Sequence, residues 1–190
     1  MVDKQKFQCS LSQCKKGLLE DIQLFKIPPL IYENKTLHQL LIYFLYLSPD
    51  IESTWSLSIK REKHSSLFQQ MIENRHFEYK RFCSSNTKIE PEMIYAGLSG
   101  KDICLKCKRF VCKRIQNKNN ILPETDLDCF LRHMRNSIAH GNVFIIPIKS
   151  KYNILFEDYN STGNMSARIL CTKSDLEHWK KVLGNKNNYL

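Results

Sequence analysis

Arg135, Asn136 and His140 lie within one six-residue stretch, Arg-Asn-Ser-Ile-Ala-His, and Gly141 follows it. The spacing puts a guanidinium, a carboxamide and an imidazole within a turn and a half of one helix, just before that helix stops. A guanidinium forks onto two phosphate oxygens and stays charged while a phosphorane develops. An imidazole, with an ordinary pKa of about 6.5, exchanges protons near neutral pH. Such a set is suited to holding an RNA phosphate without a metal ion. The imidazole would take a proton from a ribose 2′-OH and return one to the leaving 5′-oxygen, giving a 2′,3′-cyclic phosphate and a 5′-OH. Asn136 would orient either the histidine tautomer or the phosphate. One motif supplies one acid/base group, so two-fold pairing of the motif face, which brings two histidines together, is the economical arrangement. The plainer alternative is a surface helix end, with His140 against the helix dipole and Arg135 in a salt bridge.

The helix that carries these residues is legible. Thr125-Asp126-Leu127-Asp128 reads as a capping box, preceded by Pro123 and Glu124, where a helix start tolerates them. Leu127, Phe130, Leu131, Met134 and Ile138 then recur as one apolar stripe, and Gly141 is a natural residue just past a helix end. At ~100° per residue from Leu127, Arg135 falls at about 80°, Asn136 at about 180° and His140 at about 220°. Asn136 and His140 are therefore expected to point away from the core, with Arg135 on its border. Cys129 and His133 share the outward side. Lys and Glu usually occupy such a face, so a His/Asn/Cys stripe points to a second surface or a site.

At these residues the chain resembles the HEPN superfamily, whose signature is Arg, a polar residue, three further residues and His, late in a small helical bundle. Arg135, Asn136 and His140 fit that pattern, and a following Gly is common in the family. The likeness extends over about residues 15–141. It implies a metal-independent, cofactor-free endoribonuclease of toxin, phage-defence or RNA-decay type. RNA would be its substrate, Arg135, Asn136 and His140 its catalytic residues, and a homodimer its working form. An antitoxin or defence-complex partner would fit the same setting. Some members keep the fold as non-catalytic RNA- or nucleotide-binding modules, and others as helical partner subunits, so these alternatives stay open.

Other candidate groups are weaker. His133 precedes His140 by seven residues, roughly 10 Å along the helix axis; that is too far for one shared metal, and leaves an RNA contact or an interface histidine. His38, His64, His76 and His178 read as structural or solvent-exposed. Between Lys101 and Lys118 seven basic residues accompany one acid, Asp102. On a helix over 101–117, Lys106, Arg109 and Lys113 would form a basic stripe. With a net charge of +10 and a pI near 9.2, the stripe favours a polyanion and salt-sensitive attraction; a solvated face is the alternative. Of eight cysteines, Cys104 and Cys107 form a CxxC with Cys112 beyond, and Cys9 and Cys14 lie upstream. Without a second pair at finger spacing no metal site is expected, and an intracellular chain would keep its thiols reduced. Tyr43, Tyr46, Phe68, Phe77 and Tyr79 could stack on bases but read more simply as core.

The expected fold is mainly α. A HEPN-like helical bundle fills residues 1–141, and residues 142–190 add a β-hairpin and short helix packed on it in the same domain. A chain of 190 residues, 42% apolar, can bury a proper core. Helices are expected near 15–26, 36–47, 56–83, 91–98 and 101–117, before the motif helix at about 125–140. Breaks fall at Pro28-Pro29, Ser48-Pro49, Ser84 to Thr87 and Asn117 to Pro123. Val143 to Ile148, Tyr152 to Phe156 and Ala167 to Cys171 look like strands, with a turn at Asn160 to Asn164. Ser174-Asp-Leu-Glu177 reads as a capping box for a last helix through Trp179 to Leu183, stopped by Gly184. The apolar run Leu37 to Leu47 is too short to span a bilayer. No signal segment is evident at the N-terminus, so a cytoplasmic location and no membrane partner are expected.

Overall fold

The computed structural model describes residues 16–18, 25–26, 34–47, 59–73, 75, 77–82, 102–104, 108–113, 124–148 and 151–185. In chain order these form β1 (Lys16–Leu18), β2 (Phe25–Lys26), α1 (Lys35–Ile42) running into a π-helical turn (Tyr43–Leu47), and a 3-10 turn (Arg61–Lys63) leading into α2 (His64–Ile72). Next come β3 (Phe77–Phe82), β4 (Asp102–Cys104), β5 (Lys108–Lys113) and α3 (Asp126–Ala139). The antiparallel meander β6 (Val143–Ile148), β7 (Lys151–Tyr159) and β8 (Met165–Thr172) follows, and then α4 (Lys173–Leu183).

The motif helix α3 starts as its sequence dictates. Asp128 N–H donates to Thr125 Oγ1 at 3.2 Å, and Thr125 N–H donates back to Asp128 Oδ2 at 2.9 Å, so two of the orphan donors of the first turn are satisfied. Its apolar stripe meets α2 and α4. Phe130 stands edge-on between Phe68, 6.0 Å away, and Trp179, 4.9 Å away. The Trp179 indole N–H, buried with the ring, donates to the Met71 carbonyl at 2.9 Å. His64, the first residue of α2, is buried and reaches Thr125 Oγ1 at 3.0 Å and Asp128 Oδ1 at 3.1 Å, which fastens α2 to the cap of α3.

The sheet has six strands in the order β2-β6-β7-β8-β5-β3, and β1 pairs with β4 in a separate two-stranded ribbon. Every pairing is antiparallel except β3 with β5. Side chains alternate along β7 and β8. Ile154, Phe156, Ala167, Ile169 and Cys171 join the core shared with the helices, whereas Glu157 and Arg168 pair directly across the strands on the other face. Glu157 and Arg168 are nonetheless buried: Arg168 Nε donates to Glu157 Oε1 at 2.7 Å, and the exposed Tyr159 O–H donates to Glu157 Oε2 at 2.6 Å. Among the described residues no helix is long and apolar enough to cross a membrane.

Helices at 36–47 and 125–140, the three late strands, the turn near Gly163 and the last helix lie where expected. The cap of α4 is set two residues earlier than expected: Thr172 and Asp175 form the box, rather than Ser174 and Glu177. Three expected helices are corrected. Residues 101–117 contain strands β4 and β5; Lys108–Lys113 is hydrogen-bonded to β8 on one side and β3 on the other, and this pairing overrides a helix-like spacing. The helix expected over 56–83 stops at Ile72, because Glu73 turns to extended backbone and Phe77–Phe82 becomes a strand. The 15–26 segment contributes β1 and β2. The sheet is thus wider than a hairpin, and β2–β6 and β5–β8 tie it to both sides of residue 141. The helix expected at 91–98, the breaks at 28–29, 48–49, 84–87 and 117–123, and Cys9, Cys14, His76, Lys106 and Cys107 lie outside the described residues.

Candidate functional site

The motif occupies the last turn of α3, and the helix end fixes where it stops. Gly141 has φ +68°, its N–H donates to Ile138 O at 3.1 Å, and Asn142 N–H donates to Ser137 O at 2.8 Å. This double closure is the Schellman arrangement. His140 is the cap residue, with φ −91° and ψ 4°, and its side chain is exposed. Arg135 and Asn136 are half-buried.

The side of α3 expected to face outward instead packs on the sheet, so the expectation of an open His/Asn/Cys face is overturned for its first two turns. Cys129 and Ser137 are 1% exposed and His133 is 0% exposed; His133, expected on an open face as an RNA contact, is therefore enclosed. The reason is that each polar group finds its partner inside. His133 Nδ1–H donates to Asp158 Oδ2 at 2.7 Å. Asn136 Nδ2 donates to the same oxygen at 3.3 Å. Ser137 O–H donates to the His133 carbonyl at 2.7 Å, and the Cys129 and Cys112 sulfurs are 3.0 Å apart. Asp158 sits at a β-bulge between β7 and β8, a device that re-aims a side chain.

The electrostatics follow from these pairings. Burial works against charge on both His133 and Asp158, yet their mutual hydrogen bond lifts the histidine above its ordinary pKa and holds the carboxylate below its own, with Asn136 and Ser166 helping the latter. Arg132 is held by Glu124 through a forked contact, Nη2 to Oε2 at 3.0 Å, and Nη2 lies 3.2 Å from His133 Nε2. The two thiols shift in opposite directions. The hydrogen bond from Cys112 pulls Cys129 well below the usual thiol range against the effect of burial, and His133 adds to that pull. Burial and the Cys129 neighbour push Cys112 up. Cys112, Cys129 and His133 offer three donor atoms within 4.8 Å of one another, but the Arg132 guanidinium against two of them opposes a divalent cation. No metal is assigned there.

The structure brings together Arg135, Asn136 and His140 and anchors the middle one. It does not build the basic helical stripe: Arg109 and Lys113 lie on strand β5, and Lys106 lies outside the described residues. His64 is structural, as expected, His38 is exposed, and His178 Nε2 is 3.0 Å from the Gln70 carbonyl oxygen. Sequence reasoning missed Asp158, the pairing of Cys112 with Cys129 and the Glu124–Arg132 pair. The Cys129/His133 spacing of four on one face was the available signal, but their partners come from strands that no local pattern connects to α3. A family model described as HEPN pEK499 p136 matches residues 10–179. No curated protein and no solved structure matches the chain.

Proposed function

Because the chain belongs to the HEPN pEK499 p136 family, we propose that it is a metal-independent endoribonuclease that cuts RNA by attack of the 2′-OH, with the last turn of α3 as its site. The observation that carries this reading is the exposure of His140 at the helix end, one turn beyond the part of α3 that the sheet covers. His140 moves protons between the 2′-OH and the leaving 5′-oxygen, and Arg135 clamps the phosphate. The tether to Asp158 assigns Asn136 a narrower role. An ionised carboxylate can only accept hydrogen bonds, so the Asn136 amide nitrogen is the group that faces Asp158 and its carbonyl oxygen is left for another donor. That oxygen suits an imidazole N–H or a ribose hydroxyl better than an anionic phosphate. Two chains paired through the exposed helix ends supply the second histidine, and a toxin or phage-defence effector is the setting in which such an activity is used.

Purified protein is tested on total RNA and tRNA in EDTA, with end-group analysis. Cleavage that leaves cyclic phosphate ends, and falls by about 10²–10⁴-fold in His140→Ala and about 10²–10³-fold in Arg135→Ala, supports the proposal; activity that survives both changes sinks it. The half-buried positions of Arg135 and Asn136 favour one second reading, a HEPN module that binds RNA or a nucleotide without cutting it. Tight RNA binding with no cleavage would select that reading.

A further inference from the structure

One cluster of reactive side chains takes no part in the function proposed above. Cys112 on β5 and Cys129 on α3 place their sulfurs 3.0 Å apart, and both residues are buried. His133 brings an imidazole into the same group. Arg132 Nη2 lies 4.0 Å from the Cys129 sulfur. One thiol is thus bordered by a guanidinium, an imidazole and a second thiol. We propose that Cys112 and Cys129 form a redox-active dithiol, a modification site that oxidants of the peroxide class convert to a disulfide joining β5 to the motif helix.

Two features separate this pair from an ordinary buried cysteine, which is inert. The first is stabilisation of the thiolate at Cys129 by Cys112 and His133, with the positive Arg132 beside it, which makes Cys129 the nucleophile. The second is depth. The Arg132 side chain is 26% exposed and lies against the Cys129 sulfur, so the cluster sits one side chain beneath the surface. Displacing that side chain from Glu124 would be the step that lets a molecule the size of peroxide reach the sulfur.

The chemistry closes without a further reactant. The Cys129 thiolate attacks one peroxide oxygen, the O–O bond breaks, and Cys129 becomes a sulfenic acid. The hydroxide that leaves takes up the proton Cys129 had released, giving water. The Cys112 sulfur then attacks the sulfenic sulfur, its proton leaves with the displaced hydroxide as a second water, and the S–S bond forms. Peroxide gains the two electrons that the thiols lose. The sulfurs close from 3.0 Å to about 2.05 Å, a movement of about 1 Å.

The test treats the full chain with hydrogen peroxide, blocks remaining thiols after unfolding, and maps peptides by mass spectrometry without reductant. A linked Cys112–Cys129 peptide, two hydrogens lighter than its parts and released by dithiothreitol, is expected, while the equally buried Cys171 stays reduced. In Cys112→Ser, the Cys129 sulfenic acid has no thiol to resolve it, and dimedone labelling of Cys129 rises by about tenfold over wild type. The wild-type map stands even if that variant folds poorly, and neither readout depends on RNA cleavage. Peroxide that oxidises other cysteines but leaves this pair as thiols would overturn the proposal. So would purified protein carrying one zinc ion per chain on these two sulfurs.

Discussion

Removing the carboxylate charge of Asp158 leaves His133, 0% exposed, without the group that stabilises its protonated form. Breaking a buried pair from one side costs about 3 kcal/mol, and Asp158→Asn is expected to destabilise the fold by that order. The pH dependence has a definite sign. His133 is raised above 6.5 in the folded state, so its contribution is complete below pH 6.5 and is lost as pH rises through its raised value. Asp158 is lowered from 3.8, so its contribution is complete above that value and is lost as pH falls through the lowered one. The pair therefore contributes most between about pH 4 and 6.5. Urea titrations of wild type and Asp158→Asn should show their largest gap at about pH 5.5 and a smaller one at about pH 9; a gap that grows with pH would mean that His133 is buried neutral. His140→Ala behaves differently. Its side chain is exposed, so its unfolding free energy should stay within about 0.5 kcal/mol of wild type, and any loss of RNA cleavage then reports on chemistry.

At the scale of elements, α3 is fixed at both ends and on both sides. Thr125 caps it and also contacts His64, so Thr125→Ala should cost about 1–2 kcal/mol, the upper part of the range for a cap, with α2 loosened as well. Gly141 holds the far end at φ +68°, and a Cβ there would meet nothing within 4 Å. Gly141→Ala thus isolates the backbone term, about 1–2 kcal/mol for a left-handed residue. Thermal melts give both values, and a neutral Gly141→Ala would show that the helix end relaxes. These two termini were legible from sequence because capping is local chemistry: Thr125, Asp128 and Gly141 act within a few residues of themselves. The apolar stripe of α3 was legible for the same reason. Its other face was not, because Cys129, His133 and Asn136 are polar by type yet enclosed by partners 17 to 25 residues away. Segment 101–117 misled for a related reason, since its residues tolerate either period and only pairing with β3 and β8 selects the strand. Of the candidate site, Arg135, Asn136 and His140 could be named from their residue types, their spacing and the resemblance these carry, whereas Asp158 required the sheet.

For the whole molecule, a net charge of +10 sets the terms of any encounter with RNA. If binding neutralises about four phosphates of a single strand, a fourfold rise in salt weakens it by roughly 50-fold. Fluorescence anisotropy with a short RNA measures this, and a flat salt response would remove electrostatics from the account. The sheet carries a different consequence. Its central strands, β7 and β8, are made after β2, β3 and β5, which lie outside them in the order β2-β6-β7-β8-β5-β3. Strands emerging from the ribosome therefore wait with open edges for a centre that does not yet exist, and pairing across such sequence distances is slow. Asp158 arrives with that centre. During synthesis, the motif helix can form by its own caps well before anything fixes Asn136, so the Asn136–Asp158 contact comes into being only once the sheet has closed.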